Sequence, residues 1–290
     1  VKPKLIPKKA KFNFPRRFKK SEDEKHMTLT RAMDDSARYI KSILDKIESA
    51  NFLLSKTAIN IGSHDGITLD VLKYLYLENN YGGLCIEDDP KVLEQAVRNI
   101  PNKVNKLCKK VTPDNILTIL KDYENIDIID IDIDSYDYCI LEKVITLDPK
   151  VIVVELNENV PPGITYYAGY DSDCYYSSQG SYQVFGCSID AVTTLCEKYN
   201  YSLLKMEWNN AVLIKNTYSG LFDLPTSNLE AYDLGYFFRE NRENVFFWKE
   251  DESNGSESNC RNMNTDEAFE YFRNYFQKDL DKITLFKTIK

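Results

Sequence analysis

Ala58-Ile59-Asn60-Ile61-Gly62-Ser63-His64-Asp65-Gly66, Leu84-Cys85-Ile86-Glu87, Ile131-Asp132-Ile133-Asp134 and Val151-Ile152-Val153-Val154-Glu155 are short apolar runs, each closed by polar or acidic residues. Continuous apolar runs mark strands buried on both faces of a parallel sheet, and ligands of such sheets sit beyond the carboxyl ends of the strands. An acid that closes such a run therefore points into a crevice. Helical spacing recurs between the runs: Leu69, Leu72, Leu75 and Tyr76 after Gly66, then Val92, Leu93, Ala96, Val97 and Ile100 after Asp88-Asp89-Pro90. Thr112 and Pro113 suit the start of a further helix with Ile116, Leu117 and Leu120 inward, and Ile140, Leu141, Val144 and Ile145 suit one over 136–146. Strand and helix alternate, which predicts an α/β fold: a doubly wound, mostly parallel sheet with helices on both faces.

Outward from this centre, Leu29, Met33, Ala37, Ile40, Ile43, Leu44 and Ile47 form an amphipathic helix that is expected to cap one side of the sheet. On the other side, 189–199 reads as helix, and 201–208 with 211–214 as a hairpin around Asn209-Asn210. These limits give a main domain over 28–215. Residues 216–290 are expected to form a mostly helical appendage, with helices over 229–239 and 266–280 and a flexible loop over 250–264. The appendage either packs on the core or offers the surface of a homodimer.

Residues 1–27 read as a basic flexible arm. Residues 1–20 carry nine Lys or Arg and no acid, so the formal −8 of the chain leaves −17 on residues 21–290. Such an arm suits a solubilising tail or a contact to an acidic partner. The chain has 290 residues, 43% of them hydrophobic, enough for one main core with appendages. No apolar run reaches the ~18 residues needed to span a bilayer, and the basic N-terminus lacks the apolar centre of a secretory signal. Seven irregularly spaced cysteines suggest buried thiols in a reducing, cytoplasmic setting.

The loop after the first run has a mechanical reading. Gly62 lets the chain turn tightly and lets backbone approach a ligand, and Gly66 gives the same freedom at the helix entrance. A pyrophosphate-binding fingerprint needs a third glycine, and here His64-Asp65 intervenes. Glu87 follows Gly62 at the distance usual for a carboxylate that takes the two hydroxyls of a ribose. A ribose without a pyrophosphate is what S-adenosylmethionine presents.

These runs, with Ser135-Tyr136-Asp137-Tyr138, Leu156-Asn157, Tyr170-Asp171 and Gly186-Cys187-Ser188, resemble the FkbM-type S-adenosylmethionine-dependent methyltransferases over residues 56–215. The resemblance implies a class I methyltransferase (Rossmann-like) fold and methylation of a hydroxyl, most often on a sugar of a glycan or glycoconjugate. It implies that Gly62, His64, Asp65 and Glu87 surround the cofactor, and Asn60, Gly66 and Asp132 complete the expected binding set. Asn60 stands where many class I members carry Asp, so its contact to the methionine ammonium would be a neutral hydrogen bond.

Chemistry is expected around the acids of the fourth run. Asp130, Asp132 and Asp134 alternate with isoleucines and Asp137 follows, yet burying unpaired carboxylates costs several kcal/mol. Either the strand ends early and the acids lie in a solvated loop, or one of Asp134, Asp132 and Asp137 has a raised pKa and serves as general base. A third option is Mg²⁺ or another divalent cation on Asp132, Glu155 and Asn157. Asn157 and the tyrosines Tyr167, Tyr170 and Tyr176 are the candidates for contact with a saccharide, since tyrosine offers a flat apolar face with a polar tip. An RNA ribose 2′-O-methyltransferase and a non-catalytic scaffold of the same fold are the competing readings. The first lacks a lysine at the end of the fifth run, and the acidic body repels phosphate.

Overall fold

The computed structural model describes residues 22–171, 184–245 and 263–288. Seven strands form the central sheet: β1 (Thr57–Ile61), β2 (Gly82–Glu87), β3 (Val104–Cys108), β4 (Ile128–Ile131), β5 (Val151–Glu155), β7 (Tyr201–Glu207) and β8 (Asn210–Lys215). Their order is β3-β2-β1-β4-β5-β8-β7. The first five are parallel, and β8 runs antiparallel between β5 and β7. Two windings outward from β1 and β4, closed by an antiparallel hairpin, make this the class I methyltransferase form of the Rossmann-like fold.

Side chains alternate along each strand, and the two faces are buried under different helices. Ala58, Ile128, Val151 and Val153 pack with Ile40, Ile43, Leu44 and Ile47 of α1 (Glu22–Ser49) and with α2 (Lys73–Leu77) and α3 (Pro90–Asn99). Ile59, Ile129, Ile131, Ile152 and Val154 pack on the opposite face with α4 (Ile116–Ile119), α5 (Asp137–Val144) and α6 (Ile189–Tyr199). Each such side chain taken out of water contributes about 1.5–3 kcal/mol. The same alternation places Asn60 and Asp130 side by side in register on the α1 face.

The structure departs from the sequence expectation in four places. The helix expected after Gly66 is confined to Lys73–Leu77, because Asp65 and Asp70 take the backbone N–H groups of Ile67, Thr68 and Leu72 that a helix would need. The edge strand β3 was not foreseen; its Val104-Asn105-Lys106-Leu107-Cys108 sequence has no apolar run. The run through Asp134 leaves the sheet at Ile131, so the acids from Asp132 onward lie in the following loop. The C-terminal segment is helical in most of its described elements, as expected, but it also supplies an unexpected strand. After α7 (Asn216–Ser219), α8 (Asn228–Tyr232), a π-helical turn and α9 (Arg242–Val245), the helix Thr265–Tyr275 leads into β9 (Ile283–Lys287), which pairs antiparallel with β6 (Ile164–Ala168). Phe272 and Phe276 fill a core beneath this second sheet with Ile164 and Tyr166. Buried Asp190 fastens it by accepting hydrogen bonds from Gly163 N (2.6 Å) and Thr288 Oγ1 (2.7 Å). Of the flexible arm expected over 1–27, residues 1–21 lie outside the described residues and 22–27 belong to α1; most of the expected loop over 250–264 also lies outside them.

Among the described residues no helix is long and apolar enough to cross a membrane. Cys85, Cys108, Cys139, Cys187 and Cys196 are free thiols.

Candidate active site

A cleft of about 530 Å³ opens at the carboxyl ends of β1, β2, β4 and β5. Gly62, Ser63, His64 and the 68–71 turn form one wall, and Lys109, Lys110 and Val111 after β3 face them with Ser135 and Tyr136. Asn60, Asp130, Asp132 and Glu155 lie deeper, while Leu29 and Met33 of α1, Val245 of α9, and Asn209 and Asn210 of the hairpin close the far side.

Gly62 is indispensable to this shape. Its φ is +87°, and a Cβ there would stand 1.7 Å from the carbonyl oxygen of Asp132, so the loops after β1 and β4 can meet only over a glycine. The turn is then tied to β2 by Gly62 N and Ser63 N, which both donate to Ile86 O. Beside it, the Glu87 carboxylate is fully oriented by backbone: Oε2 accepts from His64 N (2.9 Å), and Oε1 from Asp88 N (2.9 Å) and Asp89 N (3.0 Å). Asp89 next caps α3 by accepting from Lys91 N.

Asp134 stands exposed at the cleft on a left-handed turn, φ 52°. The turn is clamped by Asp137, which is 0% exposed and accepts from Ile133 N (2.9 Å) and Ser135 N (3.0 Å), the amides on either side of Asp134. Ser135 O in turn accepts from Gly186 N at 2.7 Å. Oxygens of Asp132, Asp134 and Glu155 lie within 4.8 Å of one another. Burial, then the neighbouring charges of Asp134, Asp130, Asp137 and Asp70, push the Asp132 carboxyl well above its ordinary value. Burial also raises Asp134, with His64 opposing the shift, and it raises Glu155 and Asp130 strongly. Asp137 is pushed up to about 7 by burial, against the two amides it accepts from.

The cleft thus gathers Asn60, Gly62, His64, Glu87, Asp132, Asp134 and Glu155 from the sequence candidates. Others are placed elsewhere. Asp65 does not line the cleft; its carboxylate accepts from Ile67 N, Thr68 N and Thr68 Oγ1. Gly66 faces Ile100, against which a Cβ would clash at 2.0 Å. Asp137 is too deep to touch a substrate and positions Asp134 instead. Asn157 is buried behind the cleft, where its amide donates to Phe185 O and its Oδ1 accepts from Asn159, so Asp134 replaces it beside Asp132 and Glu155. Tyr167 stacks on Tyr138 away from the cleft (4.1 Å between rings), whereas Tyr170 packs edge-on against cleft-lining Tyr136 at 4.9 Å. Tyr176 lies outside the described residues.

Asp70 was missed from the sequence. It is 7% exposed at the cleft wall and accepts from Asn60 Nδ2 (2.8 Å) and Leu72 N (2.7 Å). Its one sequence signal, an acid interrupting the apolar face after Gly66, was hidden by the helical reading of that segment.

No family profile matches the chain, and no curated protein matches it. Solved structures similar to it include M. capricolum TrmK in complex with S-adenosyl-homocysteine (14% identity, 83% of this chain and 98% of that one, TM-score 0.40). The N-terminal domain of EvdMO1 with the same compound bound is 12% identical over 65% of this chain and 82% of its own, with TM-score 0.40. The plantazolicin methyltransferase BamL, in complex with a triazolic desmethylPZN analog and the same compound, is 15% identical over 79% of this chain and 81% of its own, with TM-score 0.39.

Proposed function

We propose that this chain is an S-adenosylmethionine-dependent O-methyltransferase of FkbM type whose acceptor is a hydroxyl of a saccharide or similar polyol. The observation that carries the reading is Glu87: a carboxylate at the end of β2, oriented by three backbone amides beside the Gly62 turn, with lone pairs left for a ribose diol. The rest of the cleft fits the same cofactor. Its volume is within the range for small-molecule sites, and Asn60, Asp70 and Asp130 offer an acidic corner for the methionine ammonium. The bound sulfonium would supply an already activated methyl group.

What remains for the protein is to orient the acceptor oxygen and take its proton. Asp134 is the candidate base, being exposed at the cleft, held on a clamped turn and raised above the ordinary carboxyl value. Tyr170, exposed and edge-on against cleft-lining Tyr136, offers a ring face for a sugar. The RNA reading has less support, since Asp130, Asp132, Asp134 and Glu155 would repel a phosphate backbone. Titration calorimetry with S-adenosylmethionine tests the proposal. Binding is expected for the native chain and is expected to weaken about 10–100-fold in Glu87→Ala, the loss of one or two charge-assisted hydrogen bonds. Native protein that shows no binding at millimolar ligand would leave only the scaffold reading standing.

A further inference from the structure

Three carboxylates meet at the cleft where β4 and β5 end. Asp132, Asp134 and Glu155 each present one oxygen within 4.8 Å of the others, and no ion pair among the described residues reaches any of the three. Like charges so close repel, and carboxylates in that position persist when they share protons or a cation.

Glu155 adds an independent sign. It is 5% exposed, and its two oxygens are used differently: Oε1 accepts from Asn209 Nδ2 at 3.1 Å, while Oε2 is buried with no hydrogen-bond partner. A buried carboxylate oxygen left without a donor is unfavourable. Asn209 fixes the rotation of this carboxylate, as outer partners of metal ligands do. With the three oxygens within 4.8 Å of one another, one cation can reach them all, and all donors are the hard oxygens that such cations select.

We propose that Asp132, Asp134 and Glu155 form a site for one divalent cation of the Ca²⁺, Mn²⁺ or Mg²⁺ class, with open coordination positions facing the cleft for oxygens of the acceptor. The use of the cation rests on the methyl-transfer reading; its binding does not. Each residue uses one oxygen, so Asp134 keeps the other for the acceptor's proton. A cation there lowers the pKa of a hydroxyl that it touches, as it does for water, and it selects acceptors with two adjacent oxygens over lone alcohols.

The test uses the cofactor-free full chain with Mn²⁺ as probe, read by loss of the free-ion paramagnetic resonance signal and by thermal shift. One site per chain is expected. Glu155→Gln and Asp132→Asn, both isosteric and relieved of repulsion, are expected to weaken Mn²⁺ at least tenfold with native circular dichroism retained. Glu87→Ala is expected to keep Mn²⁺ binding while S-adenosylmethionine binding weakens about 10–100-fold. Native chain that does not saturate at millimolar Mn²⁺, or a folded Glu155→Gln with undiminished affinity, overturns the site. Mn²⁺ binding without S-adenosylmethionine binding would keep the site and overturn the methyltransferase reading; the converse result would do the reverse.

Discussion

The two ends of the central sheet treat buried acids in opposite ways. At the amino end Asp127, directly before β4, is 0% exposed, and the chain supplies it completely: Lys150 Nζ and Ser55 N reach Oδ1 at 2.7 and 3.2 Å, and Lys56 N reaches Oδ2 at 2.7 Å. It thereby fastens the segment before β1 and the start of β5 to β4. Three residues later Asp130 begins a series, with Asp132, Asp134 and Glu155, that has no ion pair among the described residues and whose carboxyls are all raised by burial. An acid is structural where the fold brings it a cation and amides. Where the fold brings four acids together and no cation among the described residues, burial raises their carboxyls, which marks a candidate ligand site.

Substitutions at the two ends are expected to separate activity from stability. Asp134→Asn keeps shape and removes the proton acceptor, so methyl transfer should fall about 10²–10⁴-fold while the urea midpoint stays in place. Equal loss of turnover and stability would make Asp134 a structural residue like Asp127. Asp127→Ala leaves Lys150 buried without its partner and should cost about 3–5 kcal/mol in urea unfolding. Activity per folded molecule should not change. Should Asp127→Ala unfold no more easily than the native chain, the contrast between the two ends disappears.

The same contrast explains what could be read from the sequence. Val151-Ile152-Val153-Val154 and Ala58-Ile59 declare themselves because both sheet faces are buried, and the acids that end such runs lie on the cleft by geometry alone. Edge strand β3 escapes because its outer side meets solvent and tolerates Asn105 and Lys106. Within the site, Glu87 and Asp134 were legible from position, whereas Asp65 and Asp137 were not told apart from them. All four are acids at or just beyond the carboxyl ends of β1, β2 and β4. Whether a carboxylate faces a ligand or turns back onto its own backbone depends on one or two local amides, Ile67 and Thr68 for Asp65 and Ile133 and Ser135 for Asp137. Asn157 fails for a different reason: a distant segment, at Phe185, takes its amide.

Asp70 lies between the two kinds of acid and offers the finest test. It accepts from Asn60 and Leu72 N, yet burial dominates and pushes its carboxyl up to about 7, against the Leu72 amide and the charge of Lys73 and with Asp65 adding to the rise. In the unfolded chain the group titrates near its ordinary ~3.9. Between about pH 4 and 7 the folded state therefore binds more protons than the unfolded one, so this stabilising contribution is present at low pH and is lost as pH rises through 7. Asp70→Asn removes the titration. The unfolding free energy of the native chain should fall relative to that of the variant across this interval, by at most ~1.4 kcal/mol per pH unit. Saturating S-adenosylmethionine should flatten the difference, because an ammonium beside Asp70 favours its charged form and does for this acid what Lys150 does for Asp127. Parallel pH curves for the two proteins without ligand would mean that Asn60 and Leu72 already satisfy Asp70 as a carboxylate, and would place it with the structural acids.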